Sequence, residues 1–384
     1  MRIAIDLTAL MKVPTGVDVF LLELVRHLAK IDGENHYTLF VNFADRARLT
    51  QVAGPNMTLR ACSLRARPMR LLFQQCMATA IADADGHDVF HSPSFLMPLR
   101  RGRGKHLLTV HDLTFFSMPR LHSRLHRNPL FLEAVRASMR RADLINVPSD
   151  ATARDLVSSI PEVDARKIRL TPLGVDSRFC LAPREETARR IRELGLPECY
   201  VLAVGAIEPR KNLLTLLDAF EKLISREDTA AHLVLAGPRR WGASEVYRRA
   251  ASRALRERVH FLGHVPDGDL PWVYRGATVF TYVSLGEGFG FPPLEAMACG
   301  IPIIASDNSS LRENLAGAAH LVPATDVDAL SGAIRRLLAS ADEREQLSAL
   351  GFERVRRFRW ERTSGLVLNC YRELAAEGVP ANQI

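Results

Sequence analysis

Short apolar runs alternate with amphipathic helical patterns along this chain, and the alternation happens twice. In the first half the strand candidates are 2–6, 37–41, 88–91, 106–110, 144–147 and 168–171. In the second they are 200–204, 232–236, 259–262, 278–282, 302–305 and 319–322. Helical patterns lie between them, for example 17–30, 127–141, 212–225, 244–256 and 327–338. Strand–helix alternation predicts a parallel sheet covered on both faces. A chain of 384 residues exceeds the usual single-domain size, so two doubly wound α/β domains are expected. The boundary falls near 173–199, where Leu173-Gly174-Val175-Asp176 ends the first alternation and a charged helix spans Pro183 to Pro197. In such sheets ligands bind outside the carboxyl ends of the strands.

One stretch carries most of the chemistry, Glu287-Gly288-Phe289-Gly290-Phe291-Pro292-Pro293-Leu294-Glu295-Ala296-Met297-Ala298-Cys299-Gly300. Two carboxylates eight positions apart flank a glycine turn and a double proline. Pro292 and Pro293 suit the first turn of a helix, where a missing N–H is tolerated. Glu287 then lies in the preceding loop and Glu295 in the first helical turns. Amides at a helix start bind anions, and glycine lets a phosphate approach closely. Anion-binding amides beside carboxylates that accept from hydroxyls suit a sugar nucleotide. A second segment, Gly205-Ala206-Ile207-Glu208-Pro209-Arg210-Lys211-Asn212, follows strand 200–204, with Asn212 a candidate cap for a helix from Leu213. Arg210 and Lys211 there suit a diphosphate whose charge grows as it leaves.

The first stretch resembles the donor-site signature of retaining glycosyltransferase family 4, which has the GT-B fold, and every motif position matches. The resemblance implies two Rossmann-like domains facing a cleft, with the last helix crossing back onto the first domain. The expected divisions are an acceptor-side domain over 1–180 and a donor domain over 181–360. A crossing helix and tail follow over 361–384, with Trp360-Glu361-Arg362-Thr363 opening a helix that runs to about Ala376 and a frayed end from Gly378. By resemblance, Arg210 and Lys211 bind the donor diphosphate and Glu295 holds the ribose hydroxyls. Glu287 lies near the hydroxyls of the transferred sugar. The backbone around Phe289 and Gly290 contacts sugar or phosphate, and Phe291 and Leu294 join the donor site. Val265, in the loop after strand 259–262, meets the nucleobase through its main chain. His111 stands near the reacting centre, with Asp112 either orienting it or capping the next segment. His91 is a candidate on the acceptor side. The catalytic set is thus His111, Arg210, Lys211 and Glu287. The first loop, Pro14-Thr15-Gly16-Val17-Asp18, departs from the family's G-[IV]-G-R-[YF] form. Gly16 is kept as a donor-site residue, and Asp18 receives no catalytic role.

Charge is unevenly placed. Residues 1–180 carry 25 Lys+Arg against 17 Asp+Glu, so the formal excess of +8 belongs to the first half. Such asymmetry points to an anionic partner. The basic tract includes Arg65, Arg67, Arg70, Arg100, Arg101, Arg103, Lys105, Arg120, Arg124 and Arg127. Leu71, Leu72, Phe73, Leu121, Leu125, Leu130 and Phe131 are interleaved with it. That pattern suits an anionic membrane surface, and acceptors of many relatives are lipid-linked sugars. No nucleic-acid motif accompanies it. No run of 18 apolar residues predicts a membrane span. The six scattered cysteines read as reduced packing residues of a cytosolic protein, with peripheral contact at the inner membrane face.

The expected activity is metal-independent, retaining transfer from a nucleotide-diphosphate sugar, with no cofactor or metal. The D-x-D match at Asp83-Ala84-Asp85 lies away from the donor motifs. Resemblance to mannosyltransferase-like members, in the M-R-I-A-I-D opening and the H-D-L-T-F segment, points to GDP-mannose and to bacterial polysaccharide or lipopolysaccharide assembly. UDP-glucose or UDP-N-acetylglucosamine is the nearest alternative donor, and a non-catalytic nucleotide-sugar-binding protein is a different class. A dinucleotide oxidoreductase is disfavoured, because Gly286-x-Gly288-x-Gly290 lacks the G-x-G-x-x-G spacing.

Overall fold

Val, Ile and Leu fill the strand runs on both faces, which is what a sheet covered by helices on either side requires. The computed structural model describes the chain except residues 11–14, 63–68, 70–71, 99, 101, 227–228 and 377–384. It divides into two compact units. Unit 1 is Met1–Pro119, Arg124–Gly174 and Phe358–Ile384; unit 2 is Arg120–Ser123 and Val175–Arg357.

Unit 1 contains β1 (Arg2–Asp6), β2 (His36–Asn42), β3 (Met57–Cys62), β4 (Val89–Ser92), β5 (Lys105–Thr109), β6 (Leu144–Val147) and β7 (Ile168–Leu170). They form one sheet in the order β3-β2-β1-β4-β5-β6-β7, and every pairing is parallel. β3 is absent from the sequence reading. It is an edge strand whose residues alternate Met57, Leu59, Ala61 against polar neighbours, so it has no apolar run to see. The helix Trp360–Ala376 belongs to this unit and packs on the helix Gly16–Ile31 and on β4, β5 and β6. Thr363 Oγ1 donates to the Pro172 carbonyl at 2.7 Å, and Arg169 Nε donates to Glu373 Oε2 at 3.0 Å. At Gly174 the chain passes so close that a Cβ would lie 2.3 Å from the Trp360 nitrogen.

Unit 2 contains β8 (Tyr200–Val204), β9 (His232–Ala236), β10 (Val259–Gly263), β11 (Val279–Tyr282), β12 (Ile303–Ser306) and β13 (His320–Val322). Its parallel sheet runs β10-β9-β8-β11-β12-β13. The helix expected over 244–256 is shorter, Ala243–Ala250, and the segment after it turns toward β10. The helix after β10 is Leu270–Arg275. Strand order reverses at β8 and β11, which leaves a crevice at their carboxyl ends, where open α/β sheets take ligands.

Glycines let the loops at that edge pack tightly. Gly205 and Gly237 have φ of 148° and 145°, and a Cβ on Gly237 would stand 2.0 Å from the Gly205 oxygen. Gly237→Ala should therefore destabilise unit 2 by about 3 kcal/mol or more, through backbone strain and a clash that no flexible side chain can relieve. Chemical denaturation followed by tryptophan fluorescence checks this; a midpoint equal to wild type would refute it.

Candidate active site

Arg210 and Lys211 follow β8, and Glu287 follows β11, so the strand reversal brings them together. Pro209–Lys211 is a single 3₁₀ turn, and Asn212 ends it in the left-handed region at φ 55°. Asn212 does not cap the next helix in the expected way. Its Nδ2 donates to the Val283 and Ala324 carbonyls at 3.1 and 2.6 Å, and its Oδ1 accepts from the Thr215 hydroxyl at 2.8 Å. The side chain thus ties the cationic turn to the segment that leads from β11 to Glu287.

The Glu287 carboxylate bridges both cations. Arg210 Nη1 lies 2.7 Å from Oε2, and Lys211 Nζ lies 2.7 Å from Oε1. Oε1 also accepts from Ser284 Oγ at 2.6 Å and from the Tyr282 hydroxyl at 3.1 Å. Lys211 Nζ donates to the Tyr282 hydroxyl at 2.6 Å. Arg210 further donates to the Gly286 carbonyl at 2.9 Å and pairs with Glu208 at 3.1 Å. The loop is held from outside as well. The Glu287 N–H donates to Ser309 Oγ at 3.0 Å, and Ser310 Oγ donates to the Glu287 carbonyl at 2.9 Å.

Glu287 is 9% exposed, so its charge depends on those partners. Burial by itself would raise its pKa; the Arg210 and Lys211 charges, with their hydrogen bonds, hold it down at about 2. Burial also lowers the pKa of Lys211, against the pull of Glu287. Glu295 lies differently, on the helix Phe291–Ala298. Burial raises it to about 7, opposed by a hydrogen bond from Tyr274 and by Arg178. One carboxylate is firmly ionised and the other is poised near neutrality.

The remaining predicted residues divide clearly. Pro292 and Pro293 occupy the first helical turn, as the sequence implies, and Gly290 precedes them at φ 89°. The two prolines carry no N–H, so that helix start offers fewer amide donors than expected. Leu294 is fully buried, with its side chain in the core. Phe289 is 5% exposed and its carbonyl accepts from Asn314 Nδ2 at 2.7 Å. Phe291 is half-buried, edge-on to Phe289. Val265 is half-buried in the loop after β10.

Gly16 and His111 belong to unit 1. Gly16 opens the helix Gly16–Ile31. Asp18 is buried, and its Oδ2 accepts from the Thr15 N–H at 2.7 Å and from its hydroxyl at 2.5 Å. It is a capping residue, which explains an acid in this loop; Pro14 lies outside the described residues. His111 Nε2 lies 3.0 Å from the Pro93 carbonyl, so that nitrogen carries the proton. Burial lowers its pKa despite that bond and Asp112. Asp112 caps the next segment by accepting from the Thr114 N–H and hydroxyl. His91 is fully buried between Thr109 and Tyr371, with ring nitrogens 2.8 and 2.7 Å from their hydroxyls, and is a core residue. In the basic tract, Arg65, Arg67, Arg70, Leu71 and Arg101 lie outside the described residues. Phe73 packs in the core, whereas Leu72 and Leu130 are 60% and 82% exposed. Asp83 accepts from the Arg103 N–H and Asp85 pairs with Arg60, so both carboxylates of the D-x-D match have structural partners.

Sequence reading missed Tyr274, Tyr282, Ser284 and Ser309. Tyr282 carried a signal, as a polar end to an apolar strand directly before the motif.

Comparison with known proteins identifies the family. Residues 184–354 match the family described as Glycosyl transferases group 1, and residues 14–179 match Glycosyltransferase Family 4. The chain is 31% identical to O-antigen chain mannosyltransferase B of Escherichia coli, over 94% of this chain and 96% of that protein. The chain belongs to the group 1/family 4 glycosyltransferases. Its fold matches sucrose-phosphate synthase of Thermosynechococcus elongatus at a TM-score of 0.76 and 25% identity, covering 98% of this chain and 99% of that one. It also matches the Anabaena protein HepE, solved with UDP and glucose, at a TM-score of 0.76 and 17% identity, over 97% and 100% of the two chains. The architecture of this glycosyltransferase is therefore GT-B, built from two Rossmann-like parallel-sheet units.

Removing the shared anion should unbalance the site. Glu287→Gln leaves two largely buried cations without their common counter-charge and should destabilise unit 2 by about 3 kcal/mol or more. Urea unfolding at neutral pH measures this, and a loss below 1 kcal/mol would refute it.

Proposed function

We propose that this glycosyltransferase is a retaining, metal-independent α-mannosyltransferase. It takes mannose from GDP-mannose to a glycan or lipid-linked acceptor in bacterial polysaccharide or lipopolysaccharide assembly. The observation that carries the reading is the pairing of Arg210 and Lys211 at the β8–β11 reversal, both fixed on Glu287. The similarity to an O-antigen chain mannosyltransferase along nearly the whole chain supports mannose.

The chemistry follows from the donor side. The bond between the sugar's anomeric carbon and the diphosphate oxygen breaks, and negative charge grows on that oxygen. Arg210 and Lys211 are preorganised to stabilise it, because Glu287, Tyr282 and Gly286 already hold their side chains. The acceptor hydroxyl attacks from the face that the diphosphate leaves, so anomeric configuration is kept. Its proton passes to the departing phosphate, and no protein nucleophile is needed. Neutral His111, with Nε2 committed to Pro93, contributes by contact with the sugar and not by charge.

Calorimetric titration with GDP-mannose, GDP-fucose, UDP-glucose and UDP-N-acetylglucosamine, with and without chelator, tests the donor. Selective, chelator-insensitive binding of GDP-mannose is expected; preference for a UDP-sugar would replace the donor and keep the mechanism. Lys211→Ala should lower kcat by about 100-fold or more, the scale for losing one transition-state charge partner, with a smaller change in donor affinity. Equal turnover by variant and wild type would remove Lys211 from the site.

The acceptor side supports peripheral membrane contact. Leu72, Met77, Leu125 and Leu130 are exposed in unit 1, and so are Arg100, Arg124 and Arg127. No helix among the described residues is long and apolar enough to cross a membrane. Flotation with vesicles containing anionic lipid should carry the protein at low salt and release it at high salt, with zwitterionic vesicles carrying much less. Equal flotation with both would contradict an electrostatic contact.

A further inference from the structure

Glu295 is held by one side chain at one oxygen. The Tyr274 hydroxyl donates to Oε2 at 2.7 Å. Oε1 takes no protein hydrogen bond among the described residues, and it is not sealed from solvent. Tyr274 itself has little freedom. It is fully buried near the end of the helix Leu270–Arg275, with its ring edge-on to Phe179 at 5.6 Å and against Phe280 at 5.5 Å. Phe280 in turn stacks on Tyr282, whose hydroxyl serves Glu287. An aromatic row behind the site thus ends in two hydroxyls, one for each carboxylate.

We infer that Tyr274 is a positioning residue for the nucleotide's ribose: by occupying Oε2, it presents Oε1 of Glu295 to the vicinal hydroxyls of a nucleoside diphosphate. The inference rests on the proposed donor-site reading and deepens it. A free carboxylate can turn about its last bond and share either oxygen with water. One tethered by a buried phenol offers a single oxygen in a fixed direction, and a charged acceptor bonds hydroxyls about twice as strongly as a neutral one.

The charge state of Glu295 matters for the same reason. The groups facing it are Arg178, Asp176 and Asp267 in the surrounding loops, Tyr274 on one helix and Cys299 at the end of its own. Arg178 is shared between the two aspartates, 3.5 Å from Asp176 and 3.3 Å from Asp267. Burial raises the Glu295 pKa to about 7, and the Tyr274 bond opposes that rise. Nucleotide affinity should then fall as pH drops through about 7, where Glu295 takes up a proton. Removing the phenol raises the pKa further, so the fall moves to higher pH.

The experiment is calorimetric titration of wild type, Tyr274→Phe, Glu295→Gln and the double variant. The probes are GDP and UDP and their 2′,3′-dideoxy forms, from pH 5.5 to 8.5. Thermal melts verify that each variant is folded. For the preferred base, Tyr274→Phe should lose about tenfold in affinity at pH 7.5, the scale of one hydrogen bond to a charged group, and leave the dideoxy nucleotide unaffected. Adding Tyr274→Phe to Glu295→Gln should change little, because the phenol acts through that carboxylate. Equal losses for ribose and dideoxy nucleotides would overturn the inference, since a merely structural role predicts them.

A ligand-free measurement separates the two readings. Titration of the Glu295 carboxyl by carbon NMR should show its midpoint move up in Tyr274→Phe. If it moves but wild type does not distinguish ribose from dideoxyribose, the donor-site reading has failed and the inference with it. If wild type does distinguish them and the midpoint stays put, Tyr274 alone has been misassigned.

Discussion

One buried carboxylate shared by two largely buried cations holds the loops after β8 and β11 in register. Glu287 reaches Arg210 and Lys211 at 2.7 Å each, from a loop after β11 to a turn after β8. A buried ion pair adds little net stability, because desolvation opposes the Coulomb attraction. It does fix geometry, since each group needs its partners in place. Asn212, Tyr282, Ser284 and Ser309 complete the set by binding the backbone or the charged groups on either side. The cations are thus held in place by the protein itself, as the proposed diphosphate role requires.

The two carboxylates of the motif illustrate how environment divides one residue type into two roles. Glu287 has cations and hydroxyl donors, and stays ionised far below neutral pH. Glu295 has a phenol on one oxygen and a more distant arginine, and titrates near neutrality. Pairs of titratable groups pushed apart in this way mark acid–base sites in many enzymes. Here the division suits a different task. The firmly charged group organises cations, and the poised one is the carboxylate that the proposed function assigns to the ribose hydroxyls.

Much of this was legible in the chain. Period and apolar runs located twelve of the strands, because a parallel sheet buried on both faces writes itself as continuous Val, Ile and Leu. β3 was invisible for the converse reason, as a half-exposed edge with polar residues in every other place. Arg210, Lys211, Glu287 and Glu295 could be read because spacing within a segment carries the motif. Tyr282 could not be joined to Lys211 by sequence, because 71 positions separate them and a hydroxyl leaves no pattern. Leu294 lies inside the motif, and its burial on the core face of a short helix follows from tertiary packing that spacing does not show. His91, read as a candidate on the acceptor side, lies instead in the core, because its two hydroxyl partners come from distant positions that no local pattern reveals.

The return of the helix Trp360–Ala376 to unit 1 has a consequence for biosynthesis. Unit 2 is essentially one continuous stretch, Val175–Arg357, and can collapse once that stretch has left the ribosome. Unit 1 cannot. His91 lacks its Tyr371 partner, and the faces of β4, β5 and β6 lack their cover, until the last helix is made. The half of the chain synthesised first is therefore finished last. During that interval its unfinished apolar surface is open to chaperones and to misassociation.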